Sequence, residues 1–233
     1  HLTLKELGYN SNNDHQEIVE RLENKDIGWA YADQSMFNPK LHNLMSLRKQ
    51  IIKRPVITTV EVLVKPVSSK NDMFFTGFVH KPYPPIYLEL SRNAQFNSAT
   101  VIRGTEGGII PSLRQTGKVH FYHSAGEQDD SYDVSPDELG IVQSSRAVDI
   151  PEEITRKNTK DKIESKVDAV DIAKETIKSG ISALSGNDGP MLSCIQLGAA
   201  IVLQRATGDD LDNCSKEVLR VLKSGAALKR MKR

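Results

Sequence analysis

Between residues 73 and 122, apolar and β-branched residues come in short runs broken by Gly, Pro and polar clusters; beyond residue 160 they recur three and four apart. The first pattern predicts strands and the second predicts helices. Strands are expected over 73–79, 99–103 and 119–122, with a helix following Pro85 to about Asn93. Towards the C-terminus, Ile163, Val167, Val170, Ile177, Ile181 and Leu184 share helical spacing, with a bend expected near Gly180. The run from Gly186 to Pro190 ends that helix and starts another, in which Gly198, Ala199 and Ala200 would let a neighbouring helix approach closely. A last helix, with Asp212 as its expected cap, carries Val218, Leu219 and Leu222. Strands alternating with helices make the chain α/β.

The first part of the chain reads less regularly. Residues 1–8 have the look of the last turns of a helix stopped by Gly8, and its start is expected upstream. Asp14 with Glu17 three residues on predicts a capping box for a helix whose apolar stripe is Ile18, Val19 and Leu22. Residues 27–31 read as a short strand, and Asn38-Pro39 opens a helix lined by Leu41, Leu44, Met45, Leu47 and Ile51. Residues 56–64 are β-branched enough for a strand. Residues 124–160 are polar and read as a surface connection with one short turn. The whole is taken as one domain: sheet and helices over 1–123, the polar connection over 124–160, and a helical part over 161–233.

Composition changes this picture little. With 31 Lys+Arg against 30 Asp+Glu the net charge is +1, so a polyanion would have to be met by a local patch rather than a global field. The basic tail over 229–233 suits the end of a helix. Two cysteines, Cys194 and Cys214, fall in helical patterns without the partners a zinc site needs, and read as reduced residues packed inside the protein. No apolar run reaches the ~20 residues that span a membrane, and the N-terminus is neither a signal peptide nor a Met start. A cytoplasmic setting, or a plastid stroma, is the expectation.

The chemistry concentrates at residues 99–119. A buried strand ends at Gly104, and Gly104, Gly107 and Gly108 then permit a loop whose backbone N–H groups could face an anion, with Arg103, Arg114 and Lys118 supplying charge. A second basic cluster, Arg48, Lys49, Lys53 and Arg54, closes the helix after Pro39. His80, His120 and His123 have no metal-like spacing.

The segment from Asn38 to Arg54 resembles the anthranilate phosphoribosyltransferase family, and further pieces follow in family order. These are Leu4-Lys-Glu-Leu-Gly8, Arg103-Gly-Thr-Glu-Gly107, Ser135-Pro-Asp-Glu-Leu-Gly140, Leu184-Ser-Gly-Asn-Asp-Gly-Pro190, Leu197-Gly-Ala-Ala200 and Ser224-Gly-Ala226. The resemblance implies a phosphoribosyltransferase-like mixed sheet flanked by helices, a homodimer, and transfer of phosphoribose from phosphoribosyl diphosphate to anthranilate with magnesium, as in tryptophan biosynthesis. It also implies a helix, not a strand, over residues 56–64. Arg48 and Arg54 match the family's anthranilate-contacting arginines, and Arg103, Gly104, Glu106 and Gly107 match the loop beside the phosphates. No catalytic residue is assigned.

Where the family carries a magnesium-binding Asp-Glu, this chain has Ile109-Ile110, and an aliphatic pair offers none of the oxygen ligands that a hard cation requires. The family's Gly-rich diphosphate loop and most of its small helical domain lie ahead of the point where this chain begins. The Phe-Asn piece has become Ile57-Thr58, and Gly-Pro-Leu-x-Asn-Pro has become residues 61–66. The pattern is closer to a divergent branch, some members of which are thought to bind nucleic acid. Two functions therefore stand side by side. One is a phosphoribosyl or glycosyl transferase with an unidentified acceptor, no metal site and no cofactor in this chain. The other binds single-stranded nucleic acid on the same scaffold through Arg48, Lys49, Lys53, Arg54, Arg103, Arg114 and Lys118. No membrane partner is expected.

Overall fold

The computed structural model describes residues 2–51, 56–156 and 169–233. At its centre lies a four-stranded mixed sheet in the order β1 (Met73–Phe78), β2 (Ser98–Arg103), β3 (Gly117–Tyr122), β4 (Asp130–Val134). β1 and β2 run parallel, with Phe78 opposite Arg103, so the carboxyl ends of both strands share one edge. β3 returns antiparallel from Gly117, and β4 pairs antiparallel with it.

Period-2 alternation gives the sheet two dry faces, because successive side chains point to opposite sides. Phe74, Phe78, Val101 and Tyr122 face one way, packing with Tyr87 and Leu88 of a helix over Tyr83–Asn93. Ile102, Val119 and Val134 face the other way, against Cys194, Leu197 and Ile201 of a helix over Pro190–Thr207. Tyr122 is fully buried and its hydroxyl is shared between Ser91 Oγ (3.1 Å) and the Phe96 carbonyl (3.2 Å), so its polar tip is satisfied inside the first layer.

In chain order the helices are α1 (Leu2–Glu6), α2 (His15–Glu23), α3 (Gln34–Phe37), α4 (Pro39–His42), α5 (Met45–Gln50), α6 (Ile57–Val60), α7 (Tyr83–Asn93), α8 (Glu152–Arg156), α9 (Ala169–Leu184), α10 (Pro190–Thr207), α11 (Leu211–Lys223) and α12 (Ala226–Met231). The capping box on α2 forms as expected, with Asp14 accepting from Glu17 N–H and Glu17 accepting from Asp14 N–H. Of the apolar stripe only Ile18 is buried, while Val19 and Leu22 stay exposed. Residues 56–64 follow the family expectation: α6 runs into a 3₁₀ turn over Glu61–Leu63.

Four expectations need correction. Residues 27–31 form no strand: Gly28 sits at φ +65, and Trp29 instead stacks on Tyr9. The helix after Pro39 is two short pieces parted at Asn43 and Leu44, and Leu44, Leu47 and Ile51 are exposed. The polar stretch 124–160 contains β4, and Val134 and Ile141 anchor it in the core. The cap of α11 is Asp210, whose carboxylate accepts from the N–H groups of Asp212 and Asn213. Helix α9 continues through Gly180, and the Ile163 and Val167 positions lie outside the described residues. Cys194 and Cys214 are free and buried, and burial pushes both thiols up, which keeps them protonated and inert at neutral pH.

Candidate anion-binding site

The loop leaving β2 closes on itself. Thr105 N–H donates to the Ile110 carbonyl (2.9 Å), Gly108 N–H to the Thr105 carbonyl (3.0 Å), and Gly104 bridges Pro111. The expected open cradle of backbone donors is therefore corrected, because these N–H groups are spent within the loop. Its glycines serve close approach instead. A Cβ on Gly104 would stand 1.5 Å from the Gly108 carbonyl oxygen, and one on Gly77 of β1 would stand 2.0 Å from the same oxygen. The loop can lie across the end of the sheet only because both positions lack a side chain.

What the loop presents is side chains. Arg103, at the carboxyl end of β2, lines a narrow crevice with Thr105, Gln115, Thr116 and Arg146, and a wider hollow of about 440 Å³ continues past Thr105 and Arg146 to Ser145 and Asp149. Both guanidinium groups belong to exposed residues, and Thr105 Oγ1 is buried with no hydrogen-bond partner. Two exposed cations at the carboxyl ends of parallel strands make a place for an oxyanion, which can accept from both guanidinium groups. Arg114 sits at the border, donating to the Ser144 carbonyl (3.3 Å). Lys118 faces Asp133 across β3 and β4 at 3.5 Å, so its charge is partly met.

Arg146 was not legible in the sequence. It lies in the polar connection, and the Leu113 N–H bond to its carbonyl (2.9 Å) draws that stretch to the loop across a long separation.

Arg48 is placed differently. Its Nη1 donates to both carboxylate oxygens of Glu61 (2.7 and 2.8 Å), an ion pair tying α5 to the turn after α6. A double-mutant cycle over Arg48→Ala and Glu61→Ala is expected to give a coupling of about 0.5–1 kcal/mol in urea unfolding, the range of partly exposed pairs; zero coupling would mean the two groups do not hold each other in solution. Lys53 and Arg54 lie outside the described residues, and nothing is described of the side chains of Lys49 and Glu106.

Ile109 and Ile110 turn from the loop towards α10, lining an apolar crevice with Ile195, Gly198 and Val202. The bare face of Gly198 meets Ile110, at 3.4 Å from where a Cβ would stand, so this position of α10 admits the loop, while α10 also packs on α9 and α11. This donor set does not fit magnesium, and among the described residues no cluster of three His, Cys, Asp or Glu side chains is placed to hold a metal. No helix among them is long and apolar enough to cross a membrane.

No family model matches the chain. It is 22% identical over 205 residues to the anthranilate phosphoribosyltransferase of Aquifex aeolicus (strain VF5), covering 88% of this chain and 54% of that protein. An uncharacterised protein of the same organism is 35% identical over 95 residues, 41% of this chain and 30% of that one. Among solved structures, the anthranilate phosphoribosyltransferase of Saccharomyces cerevisiae in complex with 4-fluoroanthranilate matches with a TM-score of 0.74 at 15% identity, over 99% of this chain and 60% of that one. The same yeast protein in complex with PRPP and Mg matches with a TM-score of 0.74 at 14% identity. The chain thus spans 54% and 60% of the length of the Aquifex and yeast anthranilate phosphoribosyltransferases, and shares the fold of the part of the yeast protein that it spans.

Proposed function

We propose that this chain, a divergent relative of the anthranilate phosphoribosyltransferases with their fold, holds the phosphates of single-stranded nucleic acid at the carboxyl ends of β1 and β2. The observation that supports the reading is the meeting of Arg103 and Arg146 in one crevice, beside a loop that carries isoleucines at the two positions matching the family's metal ligands. In phosphoribosyl transfer the protein positions two substrates while the metal offsets the diphosphate charge. Residues 109 and 110 supply no oxygen for that metal. Two arginines beside a loop whose residues 109 and 110 offer a metal no oxygen suit a ligand whose charge is one per phosphate and is offset by side chains. Phosphate contacts of this kind fix position without reading bases, so binding should be tolerant of sequence.

The second reading is a transferase with an unidentified acceptor, favoured by a distant sequence relationship that runs over 88% of the chain. One experiment separates the two. A labelled oligothymidylate titrated by fluorescence anisotropy is expected to bind without magnesium and to weaken steeply with salt. Incubation with phosphoribosyl diphosphate, anthranilate and magnesium is expected to give no product. Turnover that depends on magnesium, with no oligonucleotide binding at low salt, would overturn the proposal and favour the transferase.

A further inference from the structure

The loop leaving β2 borders two crevices of opposite character. Thr105 lines the one that holds Arg103 and Arg146, while Ile109 and Ile110 line the apolar one against α10, about 580 Å³ in volume. The two sides of the loop are held together where the Thr105 N–H donates to the Ile110 carbonyl (2.9 Å). The segment that carries Arg146 also runs from one crevice to the other: two residues on, the backbone of Val148 is hydrogen-bonded to the sulfur of Cys194, which lines the apolar crevice. The two crevices are therefore neighbours, bounded by the same two segments of chain.

Helix α10 has one charged side chain, Arg205, in its 18 residues. A helix so apolar on every side belongs under cover on every side. Leu197 and Ile201 meet that requirement against the sheet, but Ile195, Ala199, Val202 and Leu203 are only half-buried, and Ile109 of the loop is 44% exposed. Among the described residues, no hydroxyl, amide or charged side chain lines this crevice. It offers nothing to the hydrogen-bonding edge of a ligand and apolar contact to a flat face, and its volume lies within the range of sites that take a small organic body. Along a single strand each phosphate stands one sugar away from an unpaired base, and such bases lodge by their faces between aromatic or apolar side chains.

We propose that the apolar crevice takes one unpaired base of the strand whose phosphate lies against Arg103 and Arg146, its face on Ile109 and the outer side of α10; this inference rests on the function proposed above. The base is held without being read, because no side chain there pairs with its edge. The test compares oligothymidylate with an oligomer of the same length built of abasic residues, which keeps every phosphate and lacks every base. The unaltered protein is expected to bind the abasic oligomer roughly fivefold more weakly, the low end of what one stacked base contributes, since the face here is aliphatic. The slope of log K against log salt should be the same for both, because a base contact releases no counterions. Ile109→Ser removes the contact at an exposed position, and Ala199→Leu fills the crevice instead; both are expected to bring oligothymidylate down to the affinity of the abasic oligomer with the slope unchanged. Equal binding of the two oligomers by the unaltered protein, or an Ile109→Ser variant that weakens both alike, would overturn the base crevice while a steep salt slope left the phosphate site standing. Absence of salt-dependent binding by either oligomer would remove both. A dimer that Ile109→Ser dissociates would give the crevice to a second copy of the chain, and would likewise overturn the proposal.

Discussion

Gly77→Ala is expected to lower the melting temperature by several degrees and to weaken oligonucleotide binding with it. The added Cβ would stand 2.0 Å from the Gly108 oxygen and 2.4 Å from the Gly107 oxygen. Both are backbone atoms, which cannot turn aside as a side-chain tip can, so the whole loop must lift from the end of the sheet. Overpacking of this kind costs about 1–3 kcal/mol, and a protein of this size loses roughly 2–4 °C per kcal/mol. Lifting the loop also moves Thr105 away from Arg103 and Arg146, which couples stability to the crevice. Gly126→Ala is the control: it is exposed and nothing lies within 4 Å of its Cβ position. Equal melting temperatures for the two variants would contradict the close packing of loop on β1.

The double substitution of Arg103 and Arg146 by alanine is expected to have the largest effect on binding. Each guanidinium that contacts a phosphate contributes about 1.5–3 kcal/mol through a charged hydrogen bond, so losing both should weaken binding by two orders of magnitude or more. Because a single strand releases roughly 0.7 counterion per neutralised phosphate, the slope of log K against log salt should flatten by about 1.4. Both residues are exposed, so the fold should tolerate the change. Weakening should be the same for every base sequence tested, since the contacts are to the backbone. An unchanged slope would place the bound strand elsewhere on the molecule.

How far the sequence carried the account follows from which signals are local. β1, β2, β3 and α7 were legible because each is an apolar or aromatic run bounded by its own turn residues. For residues 56–64 propensity pointed to a strand and the family resemblance to a helix, and the helix formed; Thr58, Thr59 and Leu63 are buried there. β4 escaped because it is an edge strand with a single buried residue, Val134, among polar neighbours. Residues 27–31 misled for the opposite reason, an apolar run recruited into the Tyr9–Trp29 stack. In the candidate site, Arg103 and the glycines were legible as a loop, but the direction of the loop's hydrogen bonds was not, since it depends on Gly104 meeting Pro111. Arg146 reaches the crevice, and Glu61 reaches Arg48, through tertiary contacts between separate segments. No spacing rule foretells such contacts.

The central claim is that the β2 crevice holds a phosphate polymer without help from a metal. Its most direct test is oligothymidylate affinity measured across a series of salt concentrations, with and without magnesium chelation, at matched ionic strength. The account predicts a steep linear fall of log K with log salt that is unchanged by chelation. Loss of binding on chelation, or an affinity indifferent to salt, would contradict it.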